Sequence, residues 1–306
     1  MHYSVLLKES IDGLNIKSNG LYIDGTFGRG GHSTEVLKLL DDTGQLIAFD
    51  RDPDAIAYGE EKFKNEPKLT LVHAAFSTMH DYCVSHDLLG KVDGVLLDLG
   101  VSSPQLDEAR RGFSFMHDGP LDMRMDPTSA EPVSEVIKTL SREDLSTIFK
   151  KYGEERYAWS IAGAIKDALD RGVVIESTLA LADVIEQQVS RKEKKHPATR
   201  CFQALRIYVN EELLELEKTL ASLKEILAIE GRASIISFHS LEDRMVKKFM
   251  TREVRGTDIE LPRGLPLPTN IIPTFKWVTK KSKASVTELG ENVRSRSAVL
   301  RVAERI

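Results

Sequence analysis

Between Leu21 and Ser33 the apolar run Leu21-Tyr22-Ile23 meets Asp24, then a turn rich in glycine (Gly25, Gly28, Gly30, Gly31), before helix-forming residues resume at Thr34. A buried strand, a glycine turn and a helix, in that order, make the nucleotide cradle of α/β proteins. Glycine lets backbone N–H groups approach a ligand closely, and the helix start carries partial positive charge. A second apolar run, Gln45 to Phe49, ends on Asp50. An acid there is placed to accept hydrogen bonds from the two hydroxyls of an adenosine ribose. Together these features predict an adenosine site. Dinucleotide folds show G-x-G-x-x-G with a pyrophosphate at the helix start, and an acid just before the first glycine would repel it. Asp24 suits instead a ligand carrying an ammonium or a sulfonium, such as S-adenosylmethionine.

The alternation of strand and helix continues. Lys68 to Ala74 reads as a third strand, and Val92 to Asp98 as a fourth that again ends on an acid. A continuous apolar run such as Val95-Leu96-Leu97 marks a strand buried on both faces. The expectation is a parallel, doubly wound sheet with its ligand at the carboxyl ends of the strands. From Leu99 to Pro132 no period is visible, and a loop this long in a compact enzyme is functional or disordered. Phe113, Phe115, Met116, Leu121, Met123 and Met125 argue for order.

Helices follow: one capped by Ser141, one from Tyr157 to Leu169, one from Leu179 to Val189. After His196-Pro197, Phe202, Leu205, Val209, Leu213, Leu216, Leu220, Leu223 and Leu227 recur at helical spacing, predicting one long amphipathic helix closed by Gly231. Three more strands, Arg232 to Phe238, Thr274 to Thr279 and Ser297 to Ala303, bring the sheet to seven, the last two a hairpin with one antiparallel member. The implied organisation is a first part over 1–106, an all-helical insertion for substrate recognition over 107–196, and a second part over 197–306.

With 306 residues, 41% hydrophobic and 29% charged, the chain is ordinary for a soluble protein. It shows no apolar run of about 18 residues and no secretory signal, so neither a membrane span nor export is expected. Cys83 and Cys201 lie far apart, and reduced thiols in a cytoplasmic protein are the simplest expectation. At a net charge of −5, any nucleic-acid binding must come from local patches. The candidates are Arg191 to His196, Lys276 to Lys283, and Arg294 with Arg296, joined by Arg110, Arg111 and Arg124 in the long loop.

These blocks resemble the small-subunit ribosomal RNA methyltransferase H family. Asp24 to Ser33 is similar to its cofactor loop and Asp98 to Asp107 to its fourth-strand motif; Arg111 to Phe115 and Gly119 to Asp126 match the loop that follows. His196 to Arg200 with Phe202 to Ile207, Ser237 to Arg244, and Arg294 to Ala298 complete the pattern in order along the chain. The resemblance implies a class I S-adenosylmethionine-dependent methyltransferase with a Rossmann-like seven-stranded sheet. It would act on the exocyclic N4 of a cytosine in the decoding region of 16S rRNA, within the small ribosomal subunit. It implies cofactor contacts at Gly30, Gly31, His32, Asp50, Phe76, Asp98 and Gln105. Oligomeric state is open, a homodimer included.

The chemistry asks for alignment of amine, methyl and sulfur, and for an acceptor of an amine N–H. Asp98 is the first candidate, as acceptor or as cofactor ligand only. His239, after the next strand, is placed for a proton relay or for a structural hydrogen bond. Phe113 and Phe115 would stack on a flipped-out base or pack in a core. Arg200, Arg294 and Arg296 would meet RNA phosphates. The rival functions are a nicotinamide-dependent oxidoreductase, a methyltransferase for another RNA base amine, and a non-catalytic RNA-binding assembly factor.

Overall fold

The computed structural model describes residues 4–189, 196–257 and 272–306. The chain divides into two compact units, Met1–Gly100 with Leu213–Ile306, and Val101–Glu212.

The first unit begins with α1 (Leu7–Leu14), β1 (Leu21–Asp24), α2 (Gly31–Leu39), β2 (Gln45–Asp50), α3 (Pro53–Lys62), β3 (Leu69–His73), α4 (Met79–Ser85) and β4 (Val92–Asp98). The four strands are parallel, with Ile23 of β1 opposite Ile47 of β2 on one side and Val95 of β4 on the other. Ile23, Ile47, Val95 and Leu97 are all buried, as strands covered on both faces require. Helix starts carry their own chemistry: the Asp52 side chain accepts the Asp54 N–H, and Pro53 opens α3 without needing a donor.

The second unit contains α5 (Ser103–Asp107), α6 (Val133–Thr139), α7 (Arg142–Gly153), α8 (Ala158–Asp170), α9 (Thr178–Glu186) and α10 (Ala198–Val209). It has its own core, built around Met123, Ile137, Phe149, Ile161 and Leu205. Ser141 caps α7 by accepting the Asp144 N–H at 3.1 Å. The aperiodic stretch before α6 is ordered by side chains that serve its backbone. Asn210 accepts the Met125 N–H at 2.7 Å and donates to the Met123 carbonyl at 2.8 Å. Buried Arg111 donates to the carbonyls of Arg124 and Met125. The unit runs from 101 to 212 and not from 107 to 196, because Cys201, Phe202 and Leu205 of α10 belong to this core. The basic run at 191–195 lies outside the described residues.

The long helix expected after Pro197 is two helices, α10 and α11 (Glu212–Ile226). Glu211 between them takes a left-handed φ of 51°, which ends the first helix. Arg206 grips Glu212 across the break with two bonds of 2.7 and 2.8 Å. The first unit then resumes with β5 (Leu227–Ser237), α12 (Ser240–Arg255), β6 (Phe275–Ser282), α13 (Val286–Glu291) and β7 (Val299–Arg305). Gly231 is not a helix cap. It lies in β5 where the register jumps from Leu227 opposite Val92 to Arg232 opposite Gly94. A Cβ there would come within 2.8 Å of the carbonyl oxygens of Ala228 and Val92. The sheet order is β3-β2-β1-β4-β5-β7-β6, and β7 runs antiparallel to both its neighbours. That is the seven-stranded sheet of a class I methyltransferase.

Candidate active site

Three adjacent parallel strands, β2, β1 and β4, end on carboxylates: Asp50, Asp24 and Asp98. The strand order turns back between β1 and β4, and such a switch point is where open α/β sheets hold ligands.

The glycine loop is fastened across these strand ends. The Gly25 N–H donates to the Leu96 carbonyl and the Phe27 N–H to the Phe49 carbonyl, each at 2.9 Å. Gly28 and Gly30 take left-handed φ values of 57° and 67°. At Gly30 a Cβ would also strike the rings of Phe27 and Phe63 at 2.8 Å, so both conformation and space demand glycine. Asp50 holds the loop from beside it, accepting the Gly28 N–H at 2.7 Å through Oδ2 and the Asp52 N–H at 2.9 Å through Oδ1. Burial nevertheless pushes its carboxyl up to about 6.

Asp24 departs from expectation. It is 1% exposed, and its oxygens accept the Ser33 hydroxyl at 2.7 Å and the Thr26 N–H at 3.0 Å. It therefore braces the turn from inside and presents no oxygen to a ligand's cationic group. A sequence reveals that a charge is near a loop but not which way it points.

Asp98 is the most exposed to chemistry. Its N–H donates to Thr26 Oγ1 at 2.6 Å, which ties the loop to the end of β4. A quarter of its side chain is accessible, its Oδ2 lies 3.6 Å from His32 Nδ1, and its Oδ1 is enclosed with no hydrogen-bond partner. Burial pushes this carboxyl up to about 6, with Asp24 and Glu242 adding to the rise and His32 opposing it. His32 is buried, with Nε2 3.2 Å from the Val5 carbonyl. A carbonyl only accepts, so Nε2 is the nitrogen that donates there, and Nδ1 is the one that faces Asp98.

Phe76 lies directly after β3, against Gly25, whose Cβ would meet the Phe76 Cβ at 3.1 Å. At the end of β5, Ser237 Oγ is a second enclosed polar atom without a partner. His239 is committed to structure. It caps α12, Nδ1 accepting the Glu242 N–H at 3.4 Å, while Nε2 lies 3.0 Å from Glu242 Oε1 at an angle that makes no hydrogen bond. Glu242 in turn accepts the N–H groups of Phe238 and His239 at 2.7 and 3.2 Å. This reciprocal cap leaves His239 without a proton-relay geometry. Thr26 and Glu242 were not singled out from sequence; the three-residue spacing from His239 to Glu242 at the start of α12 was the available signal for the second.

Within the second unit, Gln105 is buried and its side chain accepts the Ser102 N–H at 2.9 Å, closing a capping box on α5. Phe113 is buried in the helical core, so it offers no face to a flipped base. Phe115 is half-buried, tilted on His196 at 4.7 Å and edge-on to Phe202 at 4.8 Å. Arg200 Nη1 lies 3.7 Å from buried Glu155. In the first unit, Arg294 and Arg296 occupy the short turn before β7, with Arg296 exposed. The structure thus brings Gly30, Gly31, His32, Asp50, Phe76 and Asp98 together around the strand ends of the first unit.

Comparison with known proteins agrees with this geometry. A family model described as the MraW methylase family matches residues 1–306. The "Ribosomal RNA small subunit methyltransferase H" of Francisella tularensis subsp. novicida is 54% identical over 308 residues, covering 100% of both chains. The protein of the same name from Francisella philomiragia subsp. philomiragia is 52% identical over 308 residues, covering 100% of this chain and 99% of the relative.

Proposed function

The chain belongs to the MraW methylase family, and we propose that it methylates the exocyclic N4 of a cytosine in the decoding region of 16S rRNA, with the small ribosomal subunit as its substrate in the cytoplasm. S-adenosylmethionine supplies a methyl group on a positively charged sulfur, already activated for transfer. The residues of the first unit fit it. Asp50 would accept the ribose hydroxyls. Gly28 and Gly30 give the loop the left-handed turns that let its backbone face the ligand, and Phe76 would pack on the adenine. An enclosed carboxylate oxygen on Asp98 with no protein partner is an acceptor left for something that binds.

The observation that carries the reading is this orphaned oxygen at the switch point, where β4 lies beside β1. A carboxylate there disfavours a pyrophosphate and favours a cationic ligand. It argues against the nicotinamide alternative.

The cytosine amine is a weak nucleophile because its lone pair is delocalised into the ring. Asp98, ionised above about pH 6, would accept one of its N–H groups and so localise that pair. As the N–C bond forms and the C–S bond breaks, positive charge grows on nitrogen. The carboxylate is worth most at that moment, and the departing proton has Asp98 as its first acceptor. A carboxyl near 6 then releases the proton to solvent through its accessible quarter. The helical unit serves as the substrate platform.

The test is transfer of a labelled methyl group from S-adenosylmethionine to small subunits prepared from cells lacking this protein, followed by nucleoside mass analysis of the 16S rRNA. Label in N4-methylcytidine supports the reading. Label in another base, or none, overturns it and leaves another base amine or a non-catalytic assembly role.

A further inference from the structure

We propose that the outer face of α12, with the adjoining edge strand β6, is a track for the phosphate backbone of the RNA substrate; this rests on the methyltransferase reading. The chain as a whole is acidic, with 47 Asp and Glu against 42 Lys and Arg. On α12 the signs are sorted by direction. Its acids turn inward: Glu242 closes the cap of α12 on the Phe238 and His239 N–H groups, Asp243 takes Arg301 in two bonds of 2.7 and 3.1 Å, and Glu253 accepts the Thr274 hydroxyl and Arg252. Arg244, Lys247, Lys248 and Arg255 are exposed. Arg244, Lys248 and Arg255 fall at helical spacing on one stripe about 16 Å long, with Lys247 beside it. Lys247, Lys248 and Arg255 have no ion pair among the described residues.

The stripe is joined to the sheet edge. Arg301, which holds Asp243 in the first turn of α12, also donates to the Lys280 carbonyl in the second half of β6. Lys280 and Lys281 are exposed there, with Lys283 just beyond. β6 is the terminal strand of the sheet, and lysines on such an edge guard against pairing with another chain. That explains the lysines of β6 and not those of α12, whose backbone is already satisfied within the helix. Like charges four residues apart repel, and a solvated helix face ordinarily mixes both signs. A face of one sign on an acidic protein is made for a polyanion. It offers flexible ammonium and guanidinium groups and no shaped pocket, so it reads charge and position, as backbone contacts do. The helix starts one residue after His239, so the track leads outward from the end of β5.

The experiment uses the full-length protein and two variants, Lys247→Gln/Lys248→Gln and Lys280→Gln/Lys281→Gln. Binding to unmethylated small subunits and to protein-free 16S rRNA is measured across a KCl series, with S-adenosylhomocysteine affinity as the control for folding. Removing one lysine–phosphate pairing should reduce the slope of log K against log salt by about 1. Each double variant should thus lower the slope by up to about 2 and weaken affinity on the order of tenfold or more near 0.1 M salt. Unchanged slopes overturn the track. So does weakening confined to whole subunits with naked rRNA bound normally, which would assign the face to an acidic ribosomal protein. Failure of the functional reading is a separate result, seen in the unaltered protein as RNA binding without methyl transfer.

Discussion

Replacing Asp50 by Ala removes an acceptor on which two things depend. Its oxygens hold the Gly28 and Asp52 N–H groups at 2.7 and 2.9 Å, and they are the acceptors assigned to the ribose hydroxyls. Losing a charge-assisted hydrogen bond costs about 1.5–3 kcal/mol, or roughly ten- to 150-fold in Kd. Calorimetry with S-adenosylhomocysteine at pH 8 isolates this interaction, because its sulfur is neutral and no turnover intervenes. The pH dependence is a sharper check. The Asp50 carboxyl of the free protein sits at about 6, and hydroxyl donors prefer its charged form. Affinity should therefore be flat above about pH 6 and fall below it, by up to tenfold per pH unit for one proton taken up. In Asp50→Ala that component disappears, and any residual slope belongs to Asp98, which titrates in the same range. A variant that binds within twofold of the unaltered protein at pH 8, with the same pH slope, would refute the ribose assignment.

The raised Asp98 carboxyl has a consequence for stability. A carboxyl held above its ordinary value makes the folded state bind more protons between about pH 4 and 6, so its charge costs stability above that window and the cost fades as pH falls. Asp98→Asn should raise the melting temperature at pH 8 by roughly 2–4 °C, for about 1 kcal/mol recovered, and give no gain near pH 4 by scanning calorimetry. Gly30→Ala forces a side chain into a left-handed position and against Phe27 and Phe63. It should cost about 2–4 kcal/mol in urea unfolding and abolish detectable cofactor binding, whereas a normal denaturation midpoint would contradict the geometry. Replacing residues 103–211 by a flexible linker should leave S-adenosylhomocysteine binding measurable and eliminate methyl transfer, since each unit has its own core. Full-rate methylation by the shortened protein would remove the helical unit's role as platform.

Much of the sheet was legible because buried parallel strands write continuous apolar runs that stop on an acid: Ile23 before Asp24, Phe49 before Asp50, Leu97 before Asp98. Asp50 and Asp98 were found by that mark. The direction of Asp24 was hidden, because Ser33 and Thr26 decide it through bonds from nine and two residues away. The break at Glu211 was hidden for another reason: the apolar spacing from Phe202 to Leu227 runs through it unbroken, so periodicity alone predicts one helix. Gly231 carried the composition of a cap but serves a strand irregularity, where its lack of a side chain clears two carbonyls. His239 reads as chemistry by residue type, and only the bond from the Glu242 N–H shows it capping a helix. The charges of α12 were visible singly; their sorting into an inner acidic and an outer basic face required knowing where Arg301 and Thr274 lie.

The central claim, that Asp98 acts on the target amine at this site, is tested most directly by single-turnover methyl transfer with Asp98→Asn. The variant keeps shape and one acceptor oxygen but loses the charge, whose value grows as nitrogen becomes positive. The account predicts a rate at saturating cofactor lower by on the order of 10²-fold, a typical acid–base contribution, with cofactor affinity changed much less. A normal rate at saturating cofactor, with binding lost instead, would make Asp98 a cofactor ligand only and move the search for the acceptor to Ser237, whose enclosed hydroxyl has no partner.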